Sequence, residues 1–461
     1  MKKTIAALLL IISTIFRVCG QSAPDDRQFT PAELREDLAF LKQQLYNVHA
    51  YPYTEFTQTE YDALFSRIDV QLTGPLTATA FLKQIKPAIA HLCDEHAQAY
   101  LPDKLLSKSY QTGFVFLPIT LSRKGEIYRV DKDISAHSGL KPGEVITAID
   151  GKPIKNVIAD CALFTSGYPD QRLEKALLQF GYLYTWALPD VKYTYAIKTG
   201  SGKTLTVEGV ALKIWETELG KESGWDTACD EKISYQKIDK VAYINACSFN
   251  IPPKQLDSIR KTINGIFDRI QKDKPEYLFI DISKNSGGQS IVGDMLMDGF
   301  NNKVYSGFSY DFKKSEEYMK LIRSWGIKPQ DYYKNAPDGK LLHFESYTVS
   351  QFADRTNRFK GKVFIIIGKG TFSSAMMMAT TIKDNRLATI VGETPVLGHP
   401  NGFGELYNTM LPNSKINLLF GVKRWIRPSG NLNDNLLRPD IAVKLTDDKK
   451  ELIKNILAKA R

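Results

Sequence analysis

Long hydrophobic runs, cysteine and internal repeats are all scarce in this chain, and each scarcity closes a class of explanation. No stretch of the 461 residues is apolar for the roughly 20 positions that a membrane-spanning helix requires. The apolar run at residues 5–15 is too short, and behind Met1-Lys2-Lys3 it has the build of a secretory leader. Cleavage is expected after Gly20, with lipid attachment at Cys19 the alternative, in the poor context Phe16-Arg17-Val18. The mature chain is then expected to be exported, periplasmic or secreted, without a transmembrane segment. Of five cysteines, the four beyond the leader (Cys93, Cys161, Cys229, Cys247) follow no metal-ligand spacing. In an oxidising compartment Cys229 could pair with Cys161 or Cys247, or the thiols could stay free and buried. Repeats and low-complexity tracts are absent. So is any cluster of one charge sign, because the formal net charge of +10 comes from lysines spread along the chain. That spread serves solubility and argues against a nucleic-acid surface.

What is present suggests several modules, since this length at 43% hydrophobic content supports more than one core. Residues 21–110 read as a helical unit. Thr30-Pro31-Ala32-Glu33 is a capping box with proline at the first helical position, and Leu34, Leu38, Leu41, Leu45 and Val48 follow at helical spacing. Two more amphipathic helices carry Tyr61 to Leu72 and Phe81 to Leu92. Residues 111–234 read as mostly β, with strands expected at 112–121, 126–130, 145–149, 191–198 and 204–210. From 235 the pattern is α/β: a strand at 241–246, a helix over 256–270 and a strand at 277–282 form a βαβ crossover. The unbroken apolar run 363–367 adds a strand covered on both faces. Residues 303–358 show no clear period and read as a surface excursion.

Two turns carry chemistry. After the strand 363–367 comes Gly368-Lys369-Gly370-Thr371-Phe372-Ser373-Ser374-Ala375, placing Ser374 at the start of a helix. A serine there serves either as an N-cap or as a nucleophile exposed on a strand–turn–helix corner. The strand 277–282 ends in Asp281-Ile282-Ser283-Lys284-Asn285-Ser286-Gly287-Gly288, at the sheet edge where α/β proteins bind ligands. Paired glycines either make a plain turn or let backbone N–H groups approach a substrate oxygen. A phosphate loop is excluded, because no Gly-Lys-Ser/Thr follows.

The order of these motifs resembles the C-terminal-processing serine peptidase family, including its tricorn-core-like branch. The likeness adds Val391-Gly392-Glu393-Thr394 and a closing Leu437-Arg438-Pro439-Asp440-Ile441-Ala442-Val443, and covers 235–445. Residues 139–154, Gly139-Leu140-Lys141-Pro142-Gly143 through Asp150-Gly151-Lys152-Pro153-Ile154, resemble the PDZ module that such peptidases carry. Cys93-Asp94-Glu95-His96-Ala97 stands where the family shows an Asp-x-His motif.

The resemblance implies a multidomain α/β architecture: a helical unit, a PDZ-like unit at 111–234 and a peptidase domain at 235–461 with a crotonase-like or ClpP-like parallel core. It implies an endopeptidase acting on polypeptides, with Ser374 as nucleophile and Gly287, Gly288 and Ala375 as oxyanion donors. It implies no metal or organic cofactor. Where members with a Ser–Lys dyad carry the lysine, this chain has His399, so the base is expected to be His96, as in the tricorn-like branch, with His399 the alternative. As plain structure, His96 would be a polar cap and His399 an exposed loop residue. Asn433, with Asp434 beside it, occupies the position of the acidic orienter. Phe116, Leu117, Pro118 and Ile119 are the expected strand edge for a substrate's C-terminus, unless the module is only a spacer. The competing expectation is a non-catalytic peptide-binding or envelope-assembly protein on the same fold.

Overall fold

A computed structural model describes residues 27–103, 105, 115–135, 137–188, 192–215, 217, 229, 231–350 and 355–460. The leader, Cys19 and positions 112–114 of the first expected strand lie outside the described residues. The chain packs into two compact units. The first takes the described residues up to 217 together with Phe312–Leu342 and Phe403–Lys423, and the second takes the remainder.

In the first unit the three expected helices form, as Pro31–Val48, Gln58–Gln71 and Ala78–Ala90. The first two begin with complete capping boxes, Thr30 with Glu33 and Thr57 with Glu60. Each cap is worth about 1 kcal/mol. The β portion has a hairpin of Ile119–Lys124 with Ile127–Asp133, and Thr194–Thr199 paired antiparallel with Thr204–Glu208. Three helices that sequence periodicity did not mark, Ile154–Ala162, Pro169–Leu178 and Phe180–Ala187, close over these strands. Their Val157, Ile158, Ala176 and Phe180 share one core with Ile119, Val130, Ile149 and Ile197. The excursion 303–358 also has structure of its own, including the helix Glu316–Ser324, which buries Tyr318, Met319 and Ile322. Its apolar positions are too few for a sequence window to reveal the period.

The second unit is built on a six-stranded sheet in the order Ser234–Ile238, Val241–Asn245, Tyr277–Asp281, Lys362–Ile367, Thr389–Gly392, Ile441–Ala442. All neighbours are parallel except the first pair. Period-two alternation explains why its central strands are apolar throughout. Leu278, Ile280, Val363, Ile365 and Ile367 face a core with helices Leu256–Asp273, Ser290–Asp298 and Ser373–Asp384. Phe279, Phe364 and Ile366 face the opposite core, with Leu452, Ile453 and Ile456 of the helix Lys449–Lys459. Cys229 and Cys247 form a disulfide, and Cys93 and Cys161 are free and buried. Burial pushes the Cys93 thiol up to about 12, which keeps it unreactive. Among the described residues no helix is long and apolar enough to cross a membrane.

Candidate active site

The serine corner is fixed by bonds between two loops. Beyond the strand Lys362–Ile367, Gly368 N–H donates to Thr371 Oγ1 (3.0 Å) and the Thr371 hydroxyl donates to the Ile282 carbonyl (2.9 Å). Phe372 N–H donates to the Asn285 carbonyl at 3.0 Å. Ser373 then takes a left-handed φ of 50° and turns the chain into the helix Ser373–Asp384. The N-cap is Phe372, which gives no side-chain cap, so the capping role weighed for Ser374 is not the one it plays. Its Oγ instead donates to the Gly288 carbonyl at 2.7 Å, with the residue 8% exposed.

The glycine turn faces this corner. Gly287 and Gly288 have φ of 101° and 130°. A Cβ on Gly287 would stand 2.6 Å from Ser373 Cβ, and one on Gly288 would stand 2.2 Å from the Phe249 carbonyl carbon and oxygen. Phe249 N–H donates to Gly287 O (3.1 Å) and Gln289 N–H donates to Phe249 O (2.8 Å). Both bonds lie on the Phe249 side, so the N–H and carbonyl of Gly288 itself point away from Phe249, and the carbonyl meets the Ser374 hydroxyl. Of the three oxyanion donors expected from sequence, Gly287 N–H is already bonded to Asn285 Oδ1 (2.8 Å) and Ala375 N–H to Phe372 O (3.1 Å). Among the described residues, Gly288 N–H has no acceptor. Gly288→Ala is therefore expected to lower kcat by about a hundredfold or more. Steady-state kinetics beside a melting curve checks this, and unchanged kcat in a folded variant would remove Gly288 from the site.

Asn285 is the residue whose role sequence reasoning missed. Fully buried, it donates from Nδ2 to Ala246 O (2.8 Å) and accepts Gly287 N–H at Oδ1. Its carbonyl holds Phe372, so one side chain and its backbone join the serine loop, the glycine turn and a strand end. The available signal was an asparagine two residues before a glycine, the spacing of an Asx turn.

His96 lies in the first unit, beyond the helix Ala78–Ala90. Its N–H donates to Asp94 Oδ1 at 2.8 Å, and the same oxygen is 3.9 Å from His96 Nδ1. Asp94 is wholly buried. Its Oδ2 accepts Gly421 N–H (2.6 Å) and lies 3.4 Å from Nε2 of His49, also wholly buried. His49 Nδ1 accepts the Tyr51 N–H (3.2 Å), which leaves its ring proton on Nε2, facing Asp94. Burial would raise the Asp94 carboxyl, but His49, His96 and Gly421 outweigh it and hold the pKa below its ordinary value. Burial lowers the His96 imidazole below 6.5, with Asp94 and a bond to the Phe403 backbone pulling it back and Lys175 adding to the fall. Burial and Asp94 push Glu95 up to about 8. Donor atoms of Asp94, Glu95 and His96 lie within 4.8 Å of one another, close enough for a metal ion. Both Asp94 oxygens are already engaged, however, and Lys175 opposes a second cation. No sequence signal pointed to His49, which is brought to Asp94 only by folding.

His399 is buried, at 4% exposure, and not the exposed loop residue of the sequence reading. Its Nδ1 accepts Asn401 N–H (3.1 Å), and burial, with Arg424, pushes its pKa down to about 3. Asn433 is exposed, and Asp434 is held by Arg427 (2.9 Å) and Arg438 (3.2 Å). The segment Phe116 to Ile119 is buried. Phe116 pairs antiparallel with Val210, Leu117 N–H meets Thr185 Oγ1 (3.4 Å), and Leu117 O accepts from Trp215 Nε1 (3.1 Å). The edge expected to receive a peptide is filled from within the chain.

A serine hydroxyl at a strand–turn–helix corner, opposite a glycine turn with an unused N–H, is the arrangement by which serine hydrolases transfer acyl groups. Residues 240–443 match the model of peptidase family S41, which supports a peptidase. That segment holds Ser374, Gly287, Gly288, Ala375 and His399 but not His96. The fold is similar to the crystal structure of mature CPAF, with TM-score 0.59, 15% identity, and coverage of 89% of this chain and 92% of that one. It is also similar to mature CPAF complexed with lactacystin, with TM-score 0.58, 15% identity and coverage of 93% and 97%. No curated protein matches the chain by sequence.

Proposed function

We propose that the protein is an exported serine endopeptidase in which Ser374 forms an acyl-enzyme and His96 is the base. The observation that carries this reading is the Ser374 hydroxyl set 2.7 Å from Gly288, inside the segment that matches the peptidase family. In the first step Oγ attacks the scissile carbonyl while its proton passes to the imidazole, and the oxyanion forms against Gly288 N–H. The amine leaves with the proton from His96. Water then adds to the ester, again giving its proton to His96, and the acid product departs with Ser374 restored.

His96 is favoured over His399 on physical grounds. A base pushed down to about 3 is almost always free but accepts a proton weakly, whereas at His96 the lowering by burial is opposed by the Asp94 charge and a bond to the Phe403 backbone. Asp94 takes the orienting role in this reading, since its carboxylate stands beside Nδ1 and its charge favours the imidazolium. Substrates are polypeptides. The filled edge at Phe116 to Ile119 does not favour capture of their C-termini there, and the β unit acts as a spacer.

Labelling by a fluorophosphonate, followed by identification of the modified peptide, tests the reading. Label on Ser374 is the expected result. Label elsewhere, or none under conditions that label a control serine peptidase, would favour a non-catalytic scaffold.

A further inference from the structure

A concavity opens in the second unit, at the end of the sheet remote from the serine. Its volume is about 1110 Å³, and it lies between the start of the strand Lys362–Ile367 and the far end of the helix Ser373–Asp384. On that helix Ser374 and the cleft residue Lys383 are nine residues, about 13.5 Å, apart along the axis. Seven of the lining side chains are basic and one is acidic. The acid, Asp440, is already paired with Lys383 at 2.5 Å. Lys303, Lys360 and Arg386 stand exposed at the rim.

Arg355 supplies an independent observation. Its side chain is only 8% exposed, with Nε on Asn357 Oδ1 (3.1 Å), Nη1 on Asp298 Oδ2 (3.3 Å) and the guanidinium over the Phe267 ring at 5.1 Å. Nη2 is buried with no acceptor among the described residues. A buried charged donor left unsatisfied is costly, and a carboxylate entering the cleft would satisfy it. The volume exceeds what one small anion fills. No aromatic face is offered for a nucleobase to stack on, because Phe359 is buried and Phe300 packs into the core.

We infer that this cleft is an exosite for an acidic polypeptide segment, whose aspartate or glutamate carboxylates meet Arg355 and the lysine rim. The inference rests on the peptidase reading only in taking the ligand to be a polypeptide. It is tested on the full chain carrying Ser374→Ala, so that binding is read without turnover and fails or succeeds apart from catalysis. Fluorescence anisotropy with a labelled polyglutamate peptide should show salt-sensitive binding, and a polyglutamine peptide of equal length should not bind. Adding Lys303→Glu and Lys360→Glu should weaken polyglutamate binding about tenfold. Adding Lys124→Glu and Lys203→Glu, at exposed positions outside the cleft, should leave it unchanged at the same net charge. Melting curves verify that each variant is folded. Equal losses in the two charge-reversed variants, equal binding of the two peptides, or tighter binding of inorganic phosphate or a single-stranded oligonucleotide would each overturn the assignment.

Discussion

Ser374→Ala is expected to reduce hydrolysis of an unfolded protein substrate to the uncatalysed background, while Ser373→Ala keeps about half or more of the activity. The two serines are adjacent but do different things. Ser374 places its hydroxyl 2.7 Å from the Gly288 carbonyl, at the mouth of the glycine turn. Ser373 turns the chain through its left-handed backbone at φ 50°, a conformation that alanine adopts about as well as serine. Removing the nucleophile abolishes the covalent route, whereas removing the neighbouring hydroxyl leaves the corner standing. Initial rates with equal amounts of folded variant decide the matter. Equal losses would show that the nucleophile has been placed one residue out.

His96→Ala is expected to cost about a thousandfold in kcat with little change in substrate binding, because proton transfer operates only in the transition state. His399→Ala should be mild by comparison. The pH profile separates the two independently of mutation. Protonated imidazole cannot accept the Ser374 proton, so activity must rise with pH through the pKa of the base and fall as pH drops below it. Burial, only partly offset by Asp94, sets His96 below 6.5, so the acid limb should have its midpoint below that value. If His399 were the base, the limb would lie near 3. An inactive His399→Ala beside an active His96→Ala, or a limb near 3, would transfer the role.

The two proposals draw on different parts of the molecule and fail separately. Loss of the Ser374 or His96 result would leave the basic cleft able to bind an acidic segment, and an empty cleft would leave the serine chemistry intact.

Local pattern determined a large part of this protein. The unbroken apolar run 363–367 fixed a strand covered on both faces, and two cores indeed share it. Thr30 with Glu33 and Thr57 with Glu60 fixed helix starts, because a capping box is completed within four residues. The order of the glycine turn and the serine turn was legible for the same reason, each being a short motif at the end of a recognisable strand.

What only the tertiary structure decided depends on groups far apart in the chain and on loss of solvent. Asn285 gains its role because Ala246, Gly287 and Phe372 converge on it, and His49 meets Asp94 across 45 positions. Which backbone N–H remains unspent, Gly288 and not Gly287 or Ala375, depends on acceptors that no spacing reveals. The burial that moves His399 to about 3, and the partners that fill the edge from Phe116 to Ile119, likewise come from packing. Desolvation and long-range pairing are properties of the folded neighbourhood, so a linear pattern carries no trace of them.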